Sequence, residues 1–181
     1  AVLNIGTAAA KTLRRQIVNQ GTVNWQATSG NISTDANNTV VSNTGLFNIL
    51  NDATFAGDNS TVETFSNTGT GIVRKSTATG TSTFSNVAFN NSGVVEVLSG
   101  TLDITDGGTS SGRVTVAAGG TLIASSTAIL DNVSSGSHNI AGSTGQAIYD
   151  LTGTLATDKP LTGTAAGPVP AALLAASGGA T

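Results

Sequence analysis

The chain of 181 residues contains no cysteine and no methionine, and it has a single tryptophan, a single tyrosine and a single histidine. Without cysteine the chain forms neither a disulfide framework nor a thiolate metal site, and its composition suits any redox compartment. It also lacks an apolar run of about 18 residues, so the sequence predicts no membrane span. The start at Ala1 fits a mature product whose signal peptide has been removed, or an excerpt of a longer protein, and we expect an extracellular or cell-surface location.

Charge is also scarce. Charged residues make up 9% of the chain, with seven Lys plus Arg against ten Asp plus Glu and a net charge of −3. No basic patch is available to neutralise phosphate groups, so nucleic acid is not an expected partner. Because 38% of the residues are hydrophobic and the polar ones are mostly small and uncharged, the sequence favours a folded domain over a disordered chain.

The chain does contain a repeat of constant length. An Asn-x-Gly tripeptide returns at steps of 24 residues, in the copies Asn19-Gln20-Gly21, Asn43-Thr44-Gly45, Asn67-Thr68-Gly69 and Asn91-Ser92-Gly93. Two positions before each Asn the residue is apolar: Ile17, Val41, Phe65 and Phe89. After each Gly the chain alternates apolar and polar residues, although Gly71 interrupts the column of Val23, Phe47 and Val95.

A fixed period with strand-like alternation inside each copy is typical of a solenoid. The pattern predicts an all-β, single-domain parallel β-helix (β-solenoid) of about six to seven rungs, each of roughly 19–24 residues. A right-handed coil is expected because parallel crossovers are overwhelmingly right-handed. A β-sandwich with evenly recurring strands is the alternative, but it gives no reason for identical Asn-x-Gly turns at constant spacing.

Stacked rungs lie about 4.8 Å apart, so residues at equivalent positions come to lie above one another. We therefore predict a ladder of side-chain amides formed by Asn19, Asn43, Asn67 and Asn91. Beside it we predict an interior apolar stack formed by Ile17, Val41, Phe65 and Phe89. The same spacing places Trp25 in one column with Ile49, Val73 and Val97, so Trp25 is expected to be interior.

The chain divides into three parts by composition. Residues 1–18 are expected to be an N-terminal cap or joining segment with a degenerate first rung, although residues 8–17 could instead form a short helix. Residues 19–155 form the predicted solenoid body, with shorter rungs after Gly93. Residues 156–181 are a Pro/Ala/Gly-rich tail that caps the coil or contacts another subunit. Open solenoid ends invite pairing, and the apolar residues proposed for self-assembly are Val2, Leu3, Ile5, Leu173 and Leu174.

Residues that could carry chemistry were sought among the carboxylates and the single histidine. The repeat spacing places Asp103 above Thr79 and Asp106 above Ser82, so neither these two nor the pair Asp52 and Asp58 forms a carboxylate cluster across rungs. Glu63 and Glu96 are far apart in the columns. His138 is interpreted as an exposed turn residue. The sequence therefore predicts a non-enzymatic protein with no catalytic residue, metal site or cofactor.

Threonines alternate along residues 77–83, at Thr77, Thr79, Thr81 and Thr83, which would share one strand face. Rows of outward threonines bind ice or crystalline polysaccharide when every rung repeats them. The equivalent positions one repeat earlier contain no threonine, so this row is not expected to extend to the neighbouring rung.

The segment from Lys11 to Trp25, together with Phe65-Ser66-Asn67-Thr68-Gly69 and Ser99-Gly100-Thr101-Leu102, resembles repeats of large secreted bacterial surface proteins. These are parallel β-helix repeats of the autotransporter and haemagglutinin type, and the resemblance covers residues 11–135. It implies a stalk, adhesin or matrix protein and brings no catalytic residues. We expect a structural subunit that self-associates end to end into a homo-oligomer or homopolymer, or alternatively an adhesin whose flat face binds a polysaccharide.

Overall fold

The computed structural model describes residues 1–26, 30–35, 40–58, 63–117, 119–124, 128–130, 137–140 and 147–149. These parts of the chain contain strands and turns and no helix. Their strands are, in chain order, β1 (Val2–Ile5), β2 (Lys11–Leu13), β3 (Ile17–Asn19), β4 (Thr22–Trp25), β5 (Ile32–Thr34), β6 (Val40–Asn43), β7 (Leu46–Ile49), β8 (Thr54–Ala56), β9 (Glu63–Asn67), β10 (Ile72–Lys75), β11 (Thr81–Ser85), β12 (Val87–Asn91), β13 (Val94–Val97), β14 (Gly100–Ile104), β15 (Arg113–Val116), β16 (Gly120–Ala124), β17 (Ala128–Leu130), β18 (Ser137–Ile140) and β19 (Ala147–Tyr149).

The strands stack into three parallel sheets. Sheet A runs in the order β1-β4-β7-β10-β13-β15-β17-β19, sheet B in the order β2-β5-β8-β11-β14-β16-β18, and sheet C in the order β3-β6-β9-β12. Each strand pairs with strands from the preceding and following turns of the chain, which is the arrangement of a β-solenoid. The predicted all-β parallel β-helix is thus confirmed, whereas its right-handed sense and its number of rungs remain predictions.

Alternation along the strands decides which side chains enter the core. In β4, β7, β10 and β13 every second residue is buried and its neighbours are partly exposed. Successive side chains of a strand point to opposite faces, so one set of each strand fills the solenoid interior. The large side chains that are most completely buried come from all three sheets: Trp25, Phe47, Phe55, Phe65, Lys75, Phe84, Ile32, Ile49, Leu102 and Leu122.

The constant step of the Asn-x-Gly repeat holds in sheet C but not in the other two sheets. Ile17 pairs with Val41, Val41 with Phe65, and Phe65 with Phe89, each at the expected step. In sheet A, however, Phe47 pairs with Val73, which lies beyond Gly71 in the sequence. The expectation that Gly71 would interrupt this column was wrong, because Val73 fills the position between Phe47 and Val95.

A longer turn between β9 and β10 explains the shift. The backbone N–H of Ile72 donates to Gly45 O at 2.8 Å, and Val94 N–H donates to Gly71 O at 2.9 Å. Gly71, and not Gly69, therefore occupies the position of Gly45. A Cβ atom on Gly71 would lie 2.3 Å from Asn43 O, so the rungs approach too closely there for any other residue. Gly69 instead lies in the extended turn with a φ of 61°.

Rungs become shorter after β12, as the sequence predicted. Up to that point each turn of the chain contributes one strand to each of the three sheets, and in the described residues beyond it sheet C has no further strand. Sheets A and B continue at smaller steps, with Val95 pairing with Val114 and Leu102 with Leu122. Within the described residues, the turns after β12 thus contribute strands to two sheets, and the N–H groups of Phe89 and Asn91 in β12 donate to Gly107 O and Thr109 O of the next turn.

Both ends of the chain were assigned roles from the sequence. Residues 8–17 contain strand β2 rather than a helix, and β1 pairs with β4 as a member of sheet A. The tail at residues 156–181, including Leu173 and Leu174, lies outside the described residues. The proposed boundaries of the cap, body and tail remain predictions.

Candidate functional site

The four repeated asparagines lie in one buried column. Asn19 Nδ2 donates to Asn43 Oδ1 at 2.6 Å, Asn43 Nδ2 to Asn67 Oδ1 at 2.7 Å, and Asn67 Nδ2 to Asn91 Oδ1 at 2.8 Å. The second amide hydrogen of each donor reaches a backbone carbonyl of the next turn, at Leu46, Ile72 and Val94 respectively. An amide suits this column because it carries a donor and an acceptor on one short side chain, whereas a carboxylate would stack like charges.

Beside the ladder, the predicted apolar column becomes part of a larger aromatic cluster. The rings of Phe65 and Phe89 stack with centroids 5.3 Å apart and an interplanar angle of 8°. Sequence reasoning missed the other rings in contact with Phe65: Phe47 at 5.0 Å, Phe84 at 5.2 Å and Phe55 at 5.9 Å. These come from sheets A and B, so a repeat confined to sheet C gave no signal for them.

Sequence reasoning also missed a buried lysine. Lys75, and not Val73, takes the position between Ile49 and Val97 in the column that contains Trp25, so the predicted membership of that column was wrong. Trp25 itself is fully buried, as expected. The Lys75 side chain has no solvent exposure, which is rare for a charged group unless polar partners surround it.

Three oxygen atoms surround the Lys75 ammonium. Its Nζ donates to Asn51 O and to Asp52 Oδ1, both at 2.9 Å, and to Ser82 Oγ at 3.0 Å. Ser82 Oγ in turn donates to Asn51 O at 2.6 Å. Because Ser82 is buried and its proton is already donated to a carbonyl, this lysine and serine do not form an accessible nucleophile, and the cluster is structural.

The candidate carboxylates lie in other positions than the sequence predicted. Asp103 pairs in register with Thr83 instead of lying above Thr79, and Asp106 accepts a hydrogen bond from the backbone N–H of Asn86 instead of lying above Ser82. Both assignments failed because the step between β11 and β14 is shorter than the Asn-x-Gly repeat. Partial burial raises the pKa of the Asp103 carboxyl above its ordinary value.

The remaining acidic residues are dispersed. Asp52 contacts Lys75, Glu96 forms an ion pair with Arg74 on the outer side of sheet A, and Glu63 is buried at the start of β9. Within the described ranges, no group of three or more His, Asp or Glu residues could hold a metal ion. His138 lies in strand β18, in register with Leu122, and not in a turn as interpreted from the sequence.

At the N-terminal end of the solenoid, three strands have an outer edge that no described strand pairs with. β1, β2 and β3 are the first strands of sheets A, B and C, and each pairs with a single neighbouring strand among the described residues. Two apolar side chains of β1 are exposed there, Val2 at 65% and Leu3 at 48%, whereas Ile5 is buried. Of the residues predicted to mediate self-assembly, the structure thus places two at an open surface, and Leu173 and Leu174 lie outside the described residues.

These features define the class of protein as a parallel β-solenoid with a buried amide ladder. No protein-family model, curated protein or solved structure gives a significant match to the chain. In the part of the chain that the structure describes, no helix is long and apolar enough to cross a membrane.

Proposed function

We propose that this chain is a non-enzymatic structural protein, extracellular or at the cell surface, whose solenoids join end to end into a fibre or layer. The observation that carries the proposal is the set of three strands, β1, β2 and β3, whose outer edges no strand of the described residues pairs with. Strand edges carry unused backbone donors and acceptors, which pair readily with another chain. The resemblance of residues 11–135 to repeats of secreted bacterial surface proteins supports a structural role of this kind.

The backbone of β1 shows how a second copy would bind. Ala1 O accepts from Thr22 N at 2.9 Å and Ile5 O accepts from Gln26 N at 3.0 Å, so these carbonyls point to β4. Backbone groups of successive residues in a strand point to opposite sides, so those of Val2 and Asn4 point to the open edge. A strand from another solenoid would extend sheet A by pairing with them.

Apolar surface at the same end would add to this pairing. Leu3 belongs to the interior column of Val23 and Phe47, both of which are buried. Leu3 remains half exposed because it lies on the first rung and no described rung covers it. An incoming rung would bury it as the later rungs bury Val23, at about 25 cal/mol for each Å² removed from water.

The experiment compares two lysine substitutions. Leu3→Lys places a charge in the proposed joint, and Leu98→Lys introduces the same charge at a residue of similar exposure, 40%, remote from that end. Light scattering after size exclusion, with negative-stain microscopy, should show concentration-dependent assemblies for the unchanged chain and for Leu98→Lys, and monomers for Leu3→Lys. Monomers of the unchanged chain at every concentration would refute the proposal.

A backbone test separates strand pairing from apolar contact. Val2→Pro removes an N–H that points to the open edge while leaving the carbonyls of Ala1 and Ile5 bonded to β4. Assembly should weaken in this variant without a change in melting temperature. Assembly of Val2→Pro at the same concentration as the unchanged chain would mean that edge pairing in sheet A does not form the joint.

A further inference from the structure

The outward side of sheet B carries a row of threonines that the sequence pattern conceals. Thr81 pairs in register with Thr101, and Thr101 pairs with Thr121. The expectation that neighbouring rungs do not continue the row was wrong, because the steps between these strands differ from the Asn-x-Gly repeat: the step is longer from β8 to β11 and shorter from β11 to β14 and from β14 to β16. Of the four threonines expected on one strand face, Thr81 and Thr83 lie on β11, and Thr77 and Thr79 precede it.

A second row lies beside the first. Thr54 pairs with Thr83, and Thr83 pairs with Asp103. We name the outward side of β8, β11, β14 and β16 the hydroxyl face. It consists of Thr54, Ala56, Thr81, Thr83, Ser85, Thr101, Asp103, Thr121 and Ile123. Neighbouring hydroxyl groups are spaced by about 4.8 Å along the solenoid axis and by about 6.6 Å along a strand.

The hydroxyl groups of the first row are available to a ligand. Among the described residues, no protein group hydrogen-bonds the side chains of Thr81, Thr101 or Thr121. Two pairs of outward polar side chains on sheet A contact each other instead: Asn24 Nδ2 donates to Asn4 Oδ1 at 2.9 Å, and Arg74 forms an ion pair with Glu96. The hydroxyl groups of Thr81, Thr101 and Thr121 on sheet B have no such partner among the described residues.

The charge of the hydroxyl face restricts the ligand. Asp103 is the one ionisable side chain among its nine residues, so the face is complementary to an uncharged partner and not to a nucleic acid or a basic protein. It carries no aromatic or Arg residue, the side chains that dominate protein–protein hot spots. Hydroxyl groups at regular spacing, each both donor and acceptor, match the hydroxyl groups of a sugar chain.

We propose that the hydroxyl face binds an uncharged polysaccharide, with the chain extended along the solenoid axis over Thr81, Thr101 and Thr121. This binding site is distinct from the joint proposed above, and the two proposals fail separately. Leu3→Lys would abolish end-to-end assembly without weakening the polysaccharide contact, because Leu3 is on sheet A at the first rung.

The experiment measures binding of the full chain to microcrystalline cellulose, to chitin and to a soluble mixed-linkage β-glucan. Thr→Val removes a hydroxyl and keeps the β-branched shape, so Thr101→Val alone should weaken binding about fivefold and the triple variant at Thr81, Thr101 and Thr121 about a hundredfold. Thr64→Val is the matched control, since Thr64 is a half-buried residue of β9, which belongs to sheet C. Melting temperatures identify variants that fail to fold.

Several results would overturn the proposal. The first is no saturable binding to any of the three polysaccharides, and the second is equal binding by the triple variant and by Thr64→Val. Binding that disappears at 1 M salt or in Asp103→Asn would mean that the contact is electrostatic. At that ionic strength the Debye length is about 3 Å, so interactions between exposed charges farther apart than this are largely screened. Capture by ice crystals in place of the polysaccharides would identify ordered water as the ligand.

Discussion

Removal of the Phe65 ring tests whether the interior columns hold the solenoid together. Phe65 is fully buried and contacts four other aromatic rings, whose centroids lie between 5.0 and 5.9 Å away. A buried Phe→Ala substitution costs about 3–5 kcal/mol through lost transfer free energy and the cavity left behind. Aromatic pairs contribute about 0.5–1.5 kcal/mol beyond the area they bury. For Phe65→Ala we therefore expect the upper end of the Phe→Ala range, about 5 kcal/mol.

Equilibrium urea unfolding measures this loss. Trp25 is the single tryptophan of the chain and is fully buried, so its fluorescence reports on the core without labelling. Far-UV circular dichroism is the second probe, because a solenoid whose rungs contact mainly their neighbours can unfold in parts. Coincident transitions by the two probes are needed before a single free energy of unfolding is quoted.

Two control substitutions separate ring packing from general damage. Phe65→Leu retains most of the volume and should cost about 1.5 kcal/mol. Val18→Ala changes an exposed side chain of β3, which β6 separates from the Phe65 strand in sheet C, and should stay within about 0.5 kcal/mol of the unchanged chain. A loss below about 2 kcal/mol for Phe65→Ala, with both probes coincident, would show that the four rings do not pack as described.

Three further outcomes follow from the polar groups of the interior and of sheet B. Lys75→Met should change the free energy of unfolding by about 1 kcal/mol or less. Asp52→Ala should cost about 2 kcal/mol, because it leaves the buried Lys75 ammonium with one hydrogen-bond partner fewer. Thermal melts in which Lys75→Met is the more destabilised variant would contradict this account of the cluster. Asn67→Ala should cost about 3 kcal/mol, because it leaves the donor Asn43 Nδ2 and the acceptor Asn91 Oδ1 without their ladder partner. Urea unfolding indistinguishable from that of the unchanged chain would mean that the ladder does not stabilise the fold. Burial raises the pKa of Asp103 in the folded chain. The contribution of Asp103 to stability is therefore full below the pKa that it has in the unfolded chain, and it is lost as pH rises through the pKa of the folded chain. Asp103→Asn should gain stability relative to the unchanged chain as pH rises from 3 to 7 (about the range that spans a carboxyl titration), and a difference that stays constant over this range would contradict the burial.

How much of this structure could be predicted from the sequence depends on the sheet. Sheet C could be predicted residue by residue, because Asn19, Asn43, Asn67 and Asn91 recur without insertion. Sheets A and B could be predicted as strands but not in register, since turn length is set by loops whose sequences do not repeat. The extra residues around Gly69 moved the partner of Phe47 to Val73.

The missed residues share a physical cause. Alternation alone marks Lys75 as inward, because it is two positions from Val73, but a lysine is expected inside only if oxygen atoms meet it there. Those oxygens belong to Asn51, Asp52 and Ser82, which lie up to 24 residues away in sequence and are brought together by the stacking of turns. The threonine row was missed for the same reason, as its members pair at a step that the Asn-x-Gly repeat does not show.

The asparagine ladder also has an electrical direction. The ladder amides of Asn19, Asn43 and Asn67 each donate toward the C-terminal rungs, so the dipoles of the row add. The row begins with the acceptor Asn19 Oδ1, to which Gly21 N–H of the same rung donates at 3.1 Å. On the outer side of sheet A the order is reversed, because Asn48 donates to Asn24 and Asn24 donates to Asn4. The first rung therefore presents oxygen inside and amide hydrogen outside. In the proposed fibre, a rung that continued both rows would have to offer an amide hydrogen inside and an oxygen outside. Two copies that met by their identical first rungs would not offer this pair, so the side-chain amides would favour head-to-tail joining.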